Sequence, residues 1–209
     1  MAQSTSLSLS NLLRGRLAEQ VFTVLLERAG YRVTRLGIKV LFDEVKYLDR
    51  EQYLALGLPD QLRTLPDFLV ADPGVSWAKL IEVKFGRCFT RATAQELFAT
   101  LTDQRLFWPQ SYAVILVGEP FCPEDRFHQD YIRVIPPDQT ARLLGPEGIN
   151  IPVDERDAMQ LLWAQLPMLS TIFRFSDFGL FGEQRDDRGR EFFGGADLIT
   201  AAIRELGRL

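Results

Sequence analysis

The stretch LRTLPDFLVADPGVSWAKLIEVKFG, residues 62–86, decides how the chain is read. It holds two short apolar runs, DFLVAD (67–72) and KLIEVKF (79–85), joined by PGVS (73–76). The Pro-Gly pair signals a turn, so the runs are expected to pair as the strands of a hairpin. Side chains alternate faces along a strand, which puts Glu82 and Lys84 on one face and Ile81, Val83 and Phe85 on the other. Two charges on the inner face of a buried strand cost roughly several kcal/mol each unless they are paired or bind a metal. If Asp67 heads the neighbouring strand, its carboxylate meets that of Glu82 on one side of the hairpin. A hard divalent cation with oxygen ligands relieves the repulsion between them. Lys84, just beyond, can orient a water or help deprotonate it. The competing account is an exposed same-face ion pair between Glu82 and Lys84, of the kind that is worth little.

Working upstream, Ser10 is placed to cap a helix from Asn11 to about Ala29, closed by Gly30. Leu13, Leu17, Val21 and Leu25 form one apolar row. A second row, Leu12, Gly15, Glu19, Phe22 and Leu26, sets a carboxylate among apolar neighbours, and both rows should face protein. The bland alternative for Glu19 is a helix-surface pair with Arg16. YRVTRLG (31–37) reads as a short strand, and VLFDEVKYLDREQYLALGLPDQ (40–61) as an amphipathic helical insertion closed by Gly57 and Pro59. Downstream, a helix is expected from Thr90 to Phe107, with Leu97, Leu101, Gln104 and Trp108 in one row and Pro109 as its stop. YAVILVGEP (112–120) is a β-branched run suited to a strand buried on both faces, and YIRVIPP (131–137) is a further strand. A helix from about Asp154, disturbed at Pro167, then a hairpin around Asp187-Arg188-Gly189 and a closing helix (196–209) complete the chain. The element order predicts an α/β domain with a mixed sheet.

Composition narrows the chemistry. The 209 residues are 46% apolar and 25% charged, which is enough material for one domain with a sizeable core. No apolar run approaches a membrane span, and the Ser-rich start lacks the features of a signal peptide, so a cytoplasmic protein is expected. Cys88 and Cys122 are the only cysteines and have no zinc spacing; they read as small buried hydrophobes. With His128 the only histidine, His-rich zinc sites and a Ser-His-Asp triad are nearly excluded. Hydrolysis must then rest on carboxylates and hard cations. The net charge of −4 hides a basic N-terminal stretch, where Arg14, Arg16, Arg28, Arg32, Arg35 and Lys39 face only Glu19 and Glu27. That excess is either a nucleic-acid contact or a solvated helix face. The triplet Asp177-Phe178-Gly179 is not read as a kinase motif, because no Gly-rich phosphate loop accompanies it.

Pro66-Asp67 followed by Glu82-Val83-Lys84, with Glu19 on the first helix, resembles the PD-(D/E)XK nuclease superfamily over roughly residues 10–120. The resemblance implies a restriction-endonuclease-like fold: a mixed central sheet flanked by helices over residues 1–137, with a helical insertion at about 40–62. Residues 138–209 would form a C-terminal helical and hairpin extension packed on that core. It further implies a site for Mg2+ or Mn2+ with Asp67 and Glu82 as ligands and the Val83 carbonyl as a third. Lys84 would be the catalytic lysine, Glu19 an outer acid and Gln104 an auxiliary residue followed by the aromatic Trp108. The expected activity is metal-dependent hydrolysis of DNA, with Arg14, Arg16, Arg87 and Arg91 as backbone contacts. Its rival is a protein of the same fold that cuts nothing and serves as a nucleic-acid-binding or assembly subunit. A partner protein or a homodimer is compatible with either, and no membrane partner is expected.

Overall fold

The first helix is long because nothing in its sequence stops it. In the computed structural model, which describes residues 2–41, 45, 48–119, 121, 131–138, 155–173, 184–185, 191–192 and 203, α1 spans Ala2–Arg28. Ser10 therefore lies within α1 rather than capping it; no proline or glycine intervenes between Ala2 and Arg14. The helix ends at Gly30, whose φ of 86° suits a residue without a Cβ, and the Tyr31 N–H returns to the Leu26 carbonyl at 3.0 Å.

Five strands make one sheet in the order β1-β2-β3-β4-β5: β1 Arg32–Arg35, β2 Phe68–Ala71, β3 Ala78–Gly86, β4 Tyr112–Val117 and β5 Ile132–Ile135. The β3–β4 pair is parallel and the other three are antiparallel. A parallel pair needs a crossover, which α5 (Arg91–Phe107) supplies. Thr90 starts that helix through a reciprocal box, its Oγ1 accepting from the Thr93 N–H while its own N–H donates to Thr93 Oγ1.

Among the described residues, the expected single helix over 40–61 is instead short helices, α2 Ile38–Leu41, α3 Arg50–Ala55 and α4 Asp60–Arg63. Asp49 is the reason for one of the breaks. Its carboxylate caps α3 by accepting from the Gln52 N–H at 2.8 Å, which starts a new helix where a continuous one was expected. The extension contributes α6 Glu155–Gln165, α7 Leu169–Ile172 and a two-residue antiparallel pair, β6 Gln184–Arg185 with β7 Glu191–Phe192. Between α6 and α7, the Pro167 carbonyl accepts from the Val134 N–H at 2.9 Å, so this segment covers the outer edge of β5. Cys122, His128, the 177–179 triplet, the 187–189 turn and all but Ile203 of the closing helix lie outside the described residues.

The strand alternation separates two cores. Ile81, Val83, Val114, Leu116, Ile132 and Val134 face α1, where they meet Ala18, Phe22, Leu25 and Leu26. Ala113, Ile115, Val117 and Ile135 face α5 and α6, against Leu97, Leu101, Met159 and Trp163. Glu82 and Lys84 belong to the α5 face by the same alternation. Of the two rows on α1, only part is covered: Leu13 and Leu17 are 49% and 42% exposed. At 1.5 Å per residue α1 is about 40 Å long, more than the roughly 30 Å of the nine-residue β3.

Phe22 and Phe68 join α1 to β2 with ring centroids 5.5 Å apart, both buried. Phe22→Ala is expected to lower stability by about 3–5 kcal/mol in urea unfolding. A loss below about 1 kcal/mol would show that α1 is not held by this contact.

Candidate active site

The site forms where β2 parts from β3. The ladder joins Phe68–Ala71 to Ala78–Ile81, with Phe68 opposite Ile81, and β2 goes no further toward Pro66. β3 continues to Gly86, so its Val83 N–H needs an acceptor that β2 no longer offers. Asp67 provides it, with Oδ2 accepting from the Val83 N–H at 2.8 Å. The Asp67 backbone carbonyl meanwhile accepts from the Leu36 N–H at 2.8 Å, tying the same residue to the end of β1. A residue's C=O points to the same neighbour as its N–H in an antiparallel ladder, so the Val83 carbonyl faces the same opening.

Glu82 and Lys84 do form the same-face pair of the competing account, but Glu82 is only 6% exposed, so its carboxylate is not a surface group. Its two oxygens have different partners: Oε1 lies 2.6 Å from Lys84 Nζ, and Oε2 accepts from Gln104 Nε2 at 2.8 Å. Gln104 is buried, and its Oε1 has no hydrogen-bond partner. The Lys84 side chain is 39% exposed, so its ammonium bridges the buried carboxylate and the solvent side of the cleft. Four residues beyond Gln104, Trp108 Nε1 donates to the Gln61 carbonyl at 3.2 Å and fastens α4 to the end of α5. One row of α5 thus orients Glu82 and holds the insertion.

Two clefts meet at Glu82. One, of about 200 Å³, includes Glu19, Arg35, Arg63, Asp67 and Glu82 in its lining. The other, of about 390 Å³, includes Arg63, Glu82, Lys84, Asp103 and Gln104. Glu19 therefore opens onto the same cleft as Asp67 and Glu82, and it pairs with Arg35 of β1 at 3.3 Å. Arg14, Arg16, Arg87 and Arg91 line neither cleft, and Arg87 is paired with Glu119 at 2.7 Å. The cleft cations are Arg35, Arg63 and Lys84. Arg35 belongs to the basic N-terminal excess seen in the sequence, whereas Arg63 was not named there; it stands only four residues before Asp67, but the folding back of α4 is a tertiary event.

Charge is tightly coupled here. Burial and the nearby Glu82 charge push the Asp67 carboxyl up from its ordinary 3.8 to about 7, against the Val83 N–H, which favours the carboxylate. Glu19 adds to the rise and Lys84 opposes it. Burial works against the Lys84 ammonium, but the charge and hydrogen bond of Glu82, with Asp67 and Glu19 behind it, outweigh burial and raise its pKa. The charge of Glu82 thus favours the ammonium form of Lys84. Among the described residues no three Asp, Glu, His or Cys groups converge to hold an ion. A cation here would take the Asp67 and Glu82 carboxylates, the Val83 carbonyl and water, a set suited to Mg2+, which keeps several waters and uses one or two carboxylates. No family model, curated protein or solved structure matches the chain.

Because folding raises the Asp67 pKa, its contribution favours the folded state at pH 4 and is lost as pH rises through about 7. Asp67→Asn removes the titration. Its melting temperature relative to wild type is expected to rise between pH 5 and pH 8 without divalent ions, and a difference constant across that range would contradict the coupling.

Proposed function

We propose that this protein is a metal-dependent nuclease acting on DNA, with the PD-(D/E)XK arrangement that its sequence resembles. The observation that carries the reading is the Asp67–Glu82–Lys84 constellation at the parting of β2 and β3, where two carboxylates share a cleft and an ammonium lies 2.6 Å from one of them. When bound, a hard divalent cation supplies positive charge against the phosphodiester and its water. The chain's own residues do the positioning. Asp67 is fixed by the Val83 N–H and Glu82 by Gln104, so neither carboxylate needs to reorganise as charge develops. Lys84, kept as an ammonium by Glu82, donates to the attacking water and aims its lone pair at phosphorus. Glu19 adds negative charge on the α1 side of the same cleft.

Supercoiled plasmid is expected to be nicked in Mg2+ or Mn2+ and left intact in EDTA. Lys84→Ala is expected to lower cleavage by about two orders of magnitude or more while keeping Mn2+ binding, on the scale of losing one transition-state donor. Asp67→Ala is expected to lose Mn2+ binding as well, because it removes an oxygen ligand. A Lys84→Ala protein with wild-type cleavage and melting would remove Lys84 from the chemistry. A wild type that binds DNA but never nicks it would favour a binding or assembly role.

A further inference from the structure

We infer that Arg63, supplied by the insertion between β1 and β2, is the substrate-binding residue that grips a DNA phosphate beside the site; the inference rests on the nuclease reading and assigns a contact outside the superfamily motif. Three cations line the two clefts, and two of them are neutralised within the chain. Arg35 is paired with Glu19, and Lys84 with Glu82. Among the described residues, Arg63 has no carboxylate partner. It lines both clefts, on either side of Glu82, and so sits where they join.

Its side chain is held in place without being neutralised. Nη2 donates to the Leu54 carbonyl at 3.1 Å, the guanidinium carbon lies 5.7 Å from the Tyr53 ring centroid, and Nε has no partner. Those contacts fix the planar fork and leave its full positive charge, with the buried Nε turned inward and Nη1 the nitrogen left to meet an anion. The insertion is itself anchored to the end of α5 through Trp108 Nε1 on the Gln61 carbonyl. A fixed guanidinium with no directly paired carboxylate, in clefts that also carry Glu19, Asp67, Glu82, Glu96 and Asp103, offers the positive point at which a phosphodiester strand passing from one cleft to the other can be held. Guanidinium recognises such oxygens bidentately.

The test measures binding of fluorescein-labelled single-stranded and duplex DNA by anisotropy over a series of salt concentrations. Calcium is the divalent ion, and gels confirm that the probe stays intact. Arg63→Gln is expected to weaken binding several-fold and to reduce the slope of log K against log salt by about one, because one phosphate contact is lost. Arg63→Lys keeps the charge and is expected to keep the slope, and it serves as the second variant should Arg63→Gln fold poorly. If Arg63 only secures the insertion, Arg63→Gln lowers the melting temperature and leaves the salt slope unchanged, which overturns the inference. So does a folded Arg63→Lys protein that has lost the slope. Wild-type nicking with an unaltered Arg63→Gln salt slope overturns the Arg63 assignment alone, whereas a wild type that neither binds nor nicks DNA overturns the nuclease reading with it.

Discussion

The hydrogen bond from the Val83 N–H to the Asp67 carboxylate is the constraint on which the rest of the site depends. A mixed sheet with one parting pair leaves backbone groups that must be satisfied. Here a side chain, not another strand, satisfies the donor. That single substitution of carboxylate for ladder fixes Asp67 in the opening, next to the strand that carries Glu82 and Lys84. A longer β2 would pair Val83 through the backbone and close the opening. The same residue is held from the other side by Leu36, so its position is set by β1 and β3 together.

Around this point charge is balanced locally, and almost entirely by short contacts. Glu82 is buried yet has a partner on each oxygen, Asp67 shares its cleft with two other acids, and Lys84 and Arg35 each meet one of them. A buried carboxylate with only one partner would cost stability; Gln104 supplies the second donor from α5. The rise in the Asp67 pKa comes first from its burial and then from the Glu82 charge, which the lysine offsets only in part. A pair of carboxylates under that strain is suited to a divalent cation in a way that a relaxed surface pair is not. The insertion closes the arrangement from above, tied to α5 by Trp108 and bringing Arg63 to the join of the clefts.

Much of this was legible in the sequence because it is local. The PGVS turn sets the β2–β3 hairpin, alternation assigns Glu82 and Lys84 to one face, and Pro109 ends α5; each follows from neighbouring residues. The mixed α/β sheet was readable for the same reason. What was not legible depended on lengths and on tertiary contact. The exposure of Leu13 and Leu17 depends on which part of α1 is covered, which no periodicity in α1 reports. The start of α3 turned on Asp49 acting as a cap inside an amphipathic run. Gln104 and Trp108 were named through the resemblance, but their partners were not: only the fold directs one to Glu82 and the other to Gln61. The basic residues expected to meet DNA, Arg14, Arg16, Arg87 and Arg91, were chosen by charge density, whereas the clefts are lined by Arg35 and Arg63.

The most direct measurement is a crystal of the wild-type protein soaked in manganese and recorded at an energy where manganese scatters anomalously. A single peak within about 2.5 Å of both the Asp67 and Glu82 carboxylates, with the Lys84 ammonium still on Glu82, is the expected result. Full soaking with no peak between those two carboxylates, or with the ion elsewhere on the surface, would contradict a metal-dependent site at the parting of β2 and β3.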